Sequence, residues 1–252
     1  MAIAWVFPGQ GSQKLGMADP LMSLSGAQER FAMASEVLGR DLLAICRGEG
    51  ESNDGPTDLN DTRNTQPALF VVESLLVDEL IRQGREASLV AGHSLGELVA
   101  LYAAGVFDLE TGLTLMKCRS ESMAAAGGGA MTAVIGFDRE QLDDLVAMTE
   151  GAFIANDNSD AQVVLSGQPE AVQAVTETLT CKRAIPLAVS GAFHTPLMAE
   201  AAAAFAQVLE ATSFRDARTP VLSNSDPTPT QKGDLLKTRL MQQMTTGVRW
   251  RE

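Results

Sequence analysis

The chain has 252 residues, 45% hydrophobic and 20% charged, which is typical of one large globular domain or one domain with an insertion. Its net charge of -13 argues against general nucleic-acid binding, because a phosphate-reading surface needs an excess of Lys and Arg. There is no long uninterrupted apolar run, and three cysteines match neither a disulfide framework nor a metal site, so we expect a reduced cytoplasmic protein without a membrane span or secretory signal.

The first predicted strand runs from Ala2 to Phe7 and leads into a Gly-rich loop from Pro8 to Gln13. The loop's glycines let backbone N–H groups approach a ligand, although their spacing matches neither a P-loop nor a dinucleotide fingerprint. Glycine-rich turns are also commonplace where they only join a strand to a helix. The loop alone therefore favours neither a ligand-binding role nor a plain connection. Helical patterning follows over residues 18–47, and then a polar, turn-rich segment over residues 48–65.

Gln66 and Pro67 are predicted to open the next helix, whose apolar stripe leads towards a short buried strand from Ser88 to Ala91. Gln66 either contacts a site formed after that strand or only starts the helix. Because polar residues beside a helix-initial proline are ordinary, the second interpretation is favoured here.

The stretch from Gly92 to Gly96 has the pattern Gly-x-Ser-x-Gly between a predicted strand and a predicted helix. In a nucleophile elbow, the two glycines avoid clashes across a sharp turn and leave the serine exposed. Ser94 is therefore a candidate nucleophile, with a plain tight turn as the alternative. The N-terminus of the following helix favours an oxyanion, and the Gly-rich loop after the first strand is a candidate for the other half of the oxyanion hole.

A further helix is predicted from the capping residue Asp108 to about Ala126, and it carries Arg119 beside its core face. Arginines in such positions usually extend to the surface along their aliphatic stems. If Arg119 instead points back at the serine pocket, its planar fork suits bidentate capture of a carboxylate.

Three consecutive glycines then end the helical pattern. Elements up to Val189 are predicted in the order β-α-β-β-α-β, which is the split-βαβ signature of a ferredoxin-like subdomain. We therefore predict an α/β protein with a large domain over residues 1–127, an inserted α+β subdomain over residues 128–189, and a return to the large domain at about Ser190, over residues 190–252.

The sequence contains two histidines, His93 and His194. His93 directly precedes Ser94, so its ring should diverge from the nucleophile, and this leaves His194 as the candidate general base. A histidine before a helix is also an ordinary structural residue. No Asp or Glu is clearly placed to complete a triad, which leaves a backbone carbonyl or an amide side chain to orient the imidazole. A strand from Pro220 to Asn224 and a helix from Gly233 to Met244 are predicted to follow.

Together these motifs resemble the malonyl-CoA:acyl-carrier-protein transacylases of fatty acid and polyketide synthesis. The resemblance implies an α/β-hydrolase-like large domain with a ferredoxin-like insertion, and transfer of a malonyl group from CoA to the phosphopantetheine thiol of acyl carrier protein. It implies a monomeric enzyme with no cofactor of its own, whose partners are malonyl-CoA and the carrier and include neither nucleic acid nor membrane. The matching stretches are Phe7 to Gln13, Asn64 to Ala68, Gly92 to Glu97, Lys117 to Arg119 and Gly191 to Pro196.

The same resemblance implies a role for each matching residue. Ser94 is the nucleophile and His194 its base, while the backbone amides of Gln10 and Leu95 form the oxyanion hole. Arg119 pairs with the free carboxylate of the malonyl group. The remaining substrate-binding residues that the resemblance implies are Gln66, Phe193, Asn158 and Gln243.

Three of these matches carry a particular expectation. The Phe193 ring would crowd an α-methyl group and so favour malonyl. Gln243 matches the amide near the histidine, with the adjacent Gln242 as the alternative. Asn158 matches an asparagine-rich loop facing the cleft, although Asp160 and its neighbour replace the usual Pro-Gly there.

The chain also departs from the family pattern, since relatives continue beyond the Val-Arg-Trp stretch near residue 250 with a further strand and helix. We therefore expect this chain to lack a C-terminal part of the fold, and an inactive truncated acyltransferase is one alternative. A serine hydrolase or thioesterase, which admits water to the acyl-enzyme, is the other. Arg119 and the lack of an evident triad acid favour the transferase over the hydrolase.

Overall fold

The computed structural model describes residues 2–51, 56–189 and 191–252. These residues form two compact units, each assembled from separate parts of the sequence. The predicted division at residues 127/128 and at Ser190 stays a prediction, and Ser190 itself lies outside the described residues. The first unit lies within Met1–Glu121, Gln207–Ser223 and Thr228–Lys237, and the second within Ser122–Ala206, Asn224–Pro227 and Thr238–Glu252.

Helices and strands are interspersed along the chain, and the predicted α/β class is confirmed. Short 3-10 helices lie at Asp19–Leu21 and Pro196–Met198. Along the described parts of the chain, no helix combines the length and apolar character that a bilayer crossing requires. The elements are β1 Ala4–Phe7, α1 Ala27–Leu38, α2 Leu42–Arg47, α3 Thr62–Arg82, β2 Leu89–Gly92, α4 Gly96–Ala103, α5 Leu109–Ala125, β3 Ala130–Phe137, α6 Arg139–Met148, β4 Ala152–Ser159, β5 Gln162–Gly167, α7 Pro169–Thr178, β6 Cys181–Pro186, α8 Ala199–Ala211, β7 Val221–Leu222 and α9 Gly233–Gln242.

The first unit contains a parallel sheet in the order β1-β2-β7. Its register pairs Phe7 with Gly92, the last residues of β1 and β2, so the loops after these strands leave from the same edge. His93 N–H donates to the Phe7 carbonyl at 2.9 Å and joins the two loops where they begin. Strand β7 is shorter than the predicted strand Pro220–Asn224, because only Val221 and Leu222 pair with β2, opposite Val90 and Ala91.

The second unit contains an antiparallel sheet in the order β4-β5-β3-β6. The elements follow the predicted order β-α-β-β-α-β, and this arrangement of strands and helices is the split-βαβ pattern. Helices α6 and α7 pack on the sheet, and the fully buried core includes Val134, Leu142, Val163, Leu165, Val172 and Val175.

Helix α3 begins at Thr62, so the prediction that Gln66–Pro67 opens this helix is wrong. Its true start has a cap, since the Asp61 side chain accepts from Arg63 N–H at 2.9 Å. The proline lies inside the helix and has no N–H to donate to the Arg63 carbonyl four residues earlier. That carbonyl instead accepts from Arg40 Nη2 at 2.7 Å, so an arginine from outside the helix replaces the missing bond.

Candidate active site

The turn between β2 and α4 holds Ser94 in an unusual backbone conformation. Its φ is 53°, in the left-handed region that non-glycine residues rarely adopt. A Cβ at Gly92 would lie 1.9 Å from the carbonyl of Gly96, and a Cβ at Gly96 would lie 2.4 Å from the carbonyl oxygen of Phe7. Both positions therefore require glycine, and the strand-turn-helix context that a nucleophile elbow needs is present.

The two backbone amides expected to form the oxyanion hole belong to adjoining turns. Leu95 immediately precedes α4, and Gln10 lies in the loop after β1. These turns pack closely, since a Cβ at Gly9 would lie 2.7 Å from the carbonyl oxygen of His93. Within the described residues, no backbone carbonyl accepts from the N–H of either Gln10 or Leu95. The fold thus leaves two donors available beside the serine turn, as an oxyanion hole requires.

Arg119 is fully buried in α5 and points to the elbow, so its interpretation as a surface residue is wrong. Its Nη2 donates to Ser94 Oγ at 3.1 Å, and its Nη1 donates to Gln66 Oε1 at 2.5 Å. Burial lowers the pKa of the Arg119 guanidinium to about 10, while the charge of Glu97, itself buried in α4, acts to raise it. A cation therefore stands beside the candidate nucleophile at neutral pH.

His194 lies in the second unit and is almost completely buried. Its φ is 59°, again in the left-handed region, and its Nδ1 lies 2.9 Å from the backbone carbonyl oxygen of Gln243. Because a carbonyl oxygen can only accept, Nδ1 carries a proton, so the proton acceptor of the ring in its neutral form is Nε2. Of the orienting groups that the sequence left open, the structure selects a backbone carbonyl, while the neighbouring Gln242 is exposed.

Comparison with known proteins gives the family. The model of the acyl transferase domain family matches residues 4–251. The malonyl CoA-acyl carrier protein transacylase of Synechocystis sp. is 51% identical over 252 residues, which are 100% of this chain and 84% of the relative. This chain belongs to the malonyl-CoA:acyl-carrier-protein transacylase family.

Solved structures of malonyl-CoA:acyl-carrier-protein transacylases have the same fold. The crystal structure of the Synechocystis enzyme matches with a TM-score of 0.93 at 50% identity, covering 99% of this chain and 83% of that one. A malonyl-transacylase in complex with a type II polyketide synthase acyl-carrier protein matches with a TM-score of 0.89 at 38% identity, with coverage of 99% and 83%.

Two further residues matched to the transacylase family lie in the second unit. The buried ring of Phe193 packs over Gly191, where an added Cβ would lie 2.3 Å from the ring. Asn158 lies inside β4, so its prediction in a loop is wrong. The strand continues past Ile154 because two irregularities in its register with β5 accommodate extra residues, and Val248 pairs with β4 from the other side.

The structure also adds a residue that the sequence motifs of the transacylase family did not single out. Thr62, in the first turn of α3, donates to Gln10 Oε1 at 2.7 Å and accepts from Gln66 Nε2 at 3.0 Å. Gln66 is therefore bonded to both Thr62 and Arg119 and does more than start a helix. The available signal was the spacing of four between Thr62 and Gln66, which places two residues on one helix face once the true helix start is known.

Proposed function

We propose that this protein transfers a malonyl group from CoA to the phosphopantetheine thiol of acyl carrier protein through a malonyl-Ser94 intermediate, in fatty acid biosynthesis. The observation that carries the proposal is the buried Arg119 guanidinium, whose Nη2 lies 3.1 Å from Ser94 Oγ. Burying the free carboxylate of a malonyl group without a cation beside it would be unfavourable by several kcal/mol, and the Arg119 guanidinium supplies that cation. A neutral acyl group carries no charge for the guanidinium to pair with.

In the proposed reaction, His194 Nε2 takes the proton of Ser94, and the alkoxide attacks the thioester carbonyl of malonyl-CoA. The Gln10 and Leu95 N–H groups stabilise the resulting oxyanion until the C–S bond breaks and CoA leaves as the thiol, taking the proton from His194. The carrier's phosphopantetheine thiol then attacks the malonyl-serine ester and returns the proton to Ser94. No electron is transferred and no cofactor is required.

We assign the remaining residues by the same proposal. Gln66 holds the Arg119 fork in place through its 2.5 Å bond, and the Phe193 ring limits substitution at the malonyl α-carbon. Gln243 acts on His194 through its backbone carbonyl. Asn158 contacts the substrate from β4.

The proposed partners of the enzyme are malonyl-CoA and an acyl carrier protein. The enzyme itself is proposed to be a monomer in the cytoplasm. The structure of a related malonyl-transacylase in complex with its acyl-carrier protein supports the carrier as partner. Neither nucleic acid nor membrane has a role in the proposed reaction.

Intact-protein mass spectrometry after mixing with one acyl-CoA tests the proposal. Malonyl-CoA should add one malonyl group to the wild-type protein, acetyl-CoA should react far more slowly, and Ser94→Ala should remain unmodified with either donor. Equal labelling by the two donors would contradict the role of Arg119. Labelling of Ser94→Ala would contradict the role of the serine.

A further inference from the structure

A continuous chain of side-chain hydrogen bonds joins the arginine beside Ser94 to the Gly-rich loop. Arg119 Nη1 donates to Gln66 Oε1 at 2.5 Å, and Gln66 Nε2 donates to Thr62 Oγ1 at 3.0 Å. The Thr62 hydroxyl in turn donates to Gln10 Oε1 at 2.7 Å. All four residues lie within the first unit, and the path links the proposed carboxylate site to the proposed oxyanion loop.

The direction of this chain is fixed by chemistry. A guanidinium has donors and no acceptor, so the Gln66 atom that faces Arg119 must be its oxygen. The Gln66 nitrogen then faces Thr62, whose oxygen accepts this bond and whose single proton is left for Gln10. With Gln10 Oε1 facing Thr62, each of the three bonds has one donor and one acceptor, and loss of the Thr62 hydroxyl would break two of them.

Burial and helix geometry make this chain of hydrogen bonds rigid at its Arg119 end. Arg119 and Gln66 are 0% and 1% exposed, and hydrogen bonds at such sites polarise one another more strongly than in water. Thr62 and Gln66 are four residues apart on α3, so the helix itself fixes their separation.

The Gly-rich loop has a second tether that does not reach the arginine. Gln13 Nε2 donates to Asn60 Oδ1 at 2.9 Å in an exposed position. This contact holds the same loop to the same end of α3, but it makes no bond to Gln66. It therefore offers a matched control for the effect of loosening the loop in general.

We propose that Thr62 is a positioning residue that couples the carboxylate-binding arginine to the oxyanion loop. It fixes the Gln66 amide so that Arg119 keeps its orientation, and it holds Gln10 so that the backbone N–H of that residue stays beside the serine turn. This inference rests on the proposed function and extends it from separate sites to one connected unit.

The test compares the single-turnover acylation rate of Thr62→Val, which keeps the shape of the side chain and removes the hydroxyl, with that of Thr62→Ser, which keeps the hydroxyl. Thr62→Val should lower the rate with malonyl-CoA about tenfold, as expected for two lost neutral hydrogen bonds. Thr62→Ser should restore the rate to within about twofold, and Asn60→Ala should match the wild type. A Thr62→Val protein as fast as wild type, or a Thr62→Ser protein as slow as Thr62→Val, would overturn the proposal.

A double-mutant cycle then asks whether Thr62 acts through Gln10. Gln10→Ala keeps the backbone N–H, so adding it to Thr62→Val should cause little further loss. If the losses of acylation rate in the two single variants add up in the double variant, Thr62 does not act through Gln10, and the proposed coupling is wrong.

Labelling of Ser94 by phenylmethanesulfonyl fluoride separates this inference from the proposed function, because a sulfonyl oxygen can use the oxyanion hole without any malonyl group. If wild type forms no malonyl-enzyme, the proposed function fails, and slower sulfonyl labelling of Thr62→Val alone would still support the coupling to the loop. If wild type forms malonyl-enzyme and Thr62→Val labels at wild-type rates with both reagents, only the coupling fails.

Discussion

Ser94 and His194 share a backbone feature. Among the described residues, they are the two non-glycine positions with a positive φ, at 53° and 59°. Such conformations are unfavourable by about 1–3 kcal/mol each and persist where the surrounding structure enforces them. Both side chains proposed to move the proton thus stand on strained backbone, which fits a catalytic role better than a packing role.

Arg119 should determine the preference for an acyl group that carries a carboxylate. Arg119→Ala should lower malonyl transfer by about a hundredfold or more, because the acyl carboxylate would be buried without its partner, while acetyl transfer should be spared or improved. The measurement is the ratio of kcat/KM for malonyl-CoA to that for acetyl-CoA. Arg82→Ala, which removes an exposed arginine of α3, is the control and should leave the ratio unchanged. Equal losses for both donors would count against a carboxylate partner.

Ser94 and His194 give a second prediction, because residues that act as a unit are not additive. Ser94→Ala and His194→Ala should each reduce single-turnover transfer by about a thousandfold or more, and the double variant should be no slower than the slower single variant. Thermal melts of all three proteins provide the folding control. A double variant much slower than both single variants would mean that the two residues act independently.

At the scale of elements, the elbow depends on two glycines between β2 and α4. Gly92→Ala should lower the free energy of unfolding by more than about 2 kcal/mol, because the added Cβ would lie 1.9 Å from the Gly96 carbonyl and force the strand and helix apart. Chemical denaturation measures this change. Gly127→Ala is the matched control, since an added Cβ there meets nothing within 4 Å. An unfolding free energy equal to wild type for Gly92→Ala would mean that the turn is not tightly packed.

Helix α3 carries a buried carboxyl at Glu73, which is 6% exposed and has no hydrogen-bond partner for either carboxyl oxygen within the described residues. Burial raises the pKa of Glu73 from 4.5 to about 8. Between these values the folded protein keeps a proton that the unfolded chain has lost, so the free energy of unfolding should fall as pH rises from about 4.5 to about 8.

Glu73→Gln should remove this pH dependence and be more stable than wild type by a few kcal/mol above pH 8. The measurement is denaturant unfolding at several pH values, with Glu36→Gln, an exposed glutamate of α1, as control. If the Glu73→Gln protein loses stability with pH as steeply as wild type, the buried carboxyl is not the group responsible.

For the whole molecule, local patterns in the sequence predicted most of the architecture. The elbow, its flanking strand and helix, and the β-α-β-β-α-β order each have short-range signals: paired glycines, apolar periodicity and the cap at Asp108. Features that depend on contacts between residues far apart in the sequence could not be predicted. The start of α3 was wrong because an arginine outside the helix supplies the bond that Pro67 cannot make. Likewise, the burial of Arg119 and the carbonyl partner of His194 are set by tertiary packing.

Single-turnover transfer from isolated malonyl-enzyme shows whether Ser94 carries an acyl group from CoA to a carrier. The enzyme is loaded with labelled malonyl-CoA, freed from excess donor, and mixed with carrier protein with or without its phosphopantetheine arm. The label should move to the carrier only when the arm is present, and should remain on the protein when only buffer is added. Rapid release of free malonate into water, with no label on the carrier, would contradict the transferase and identify a hydrolase instead.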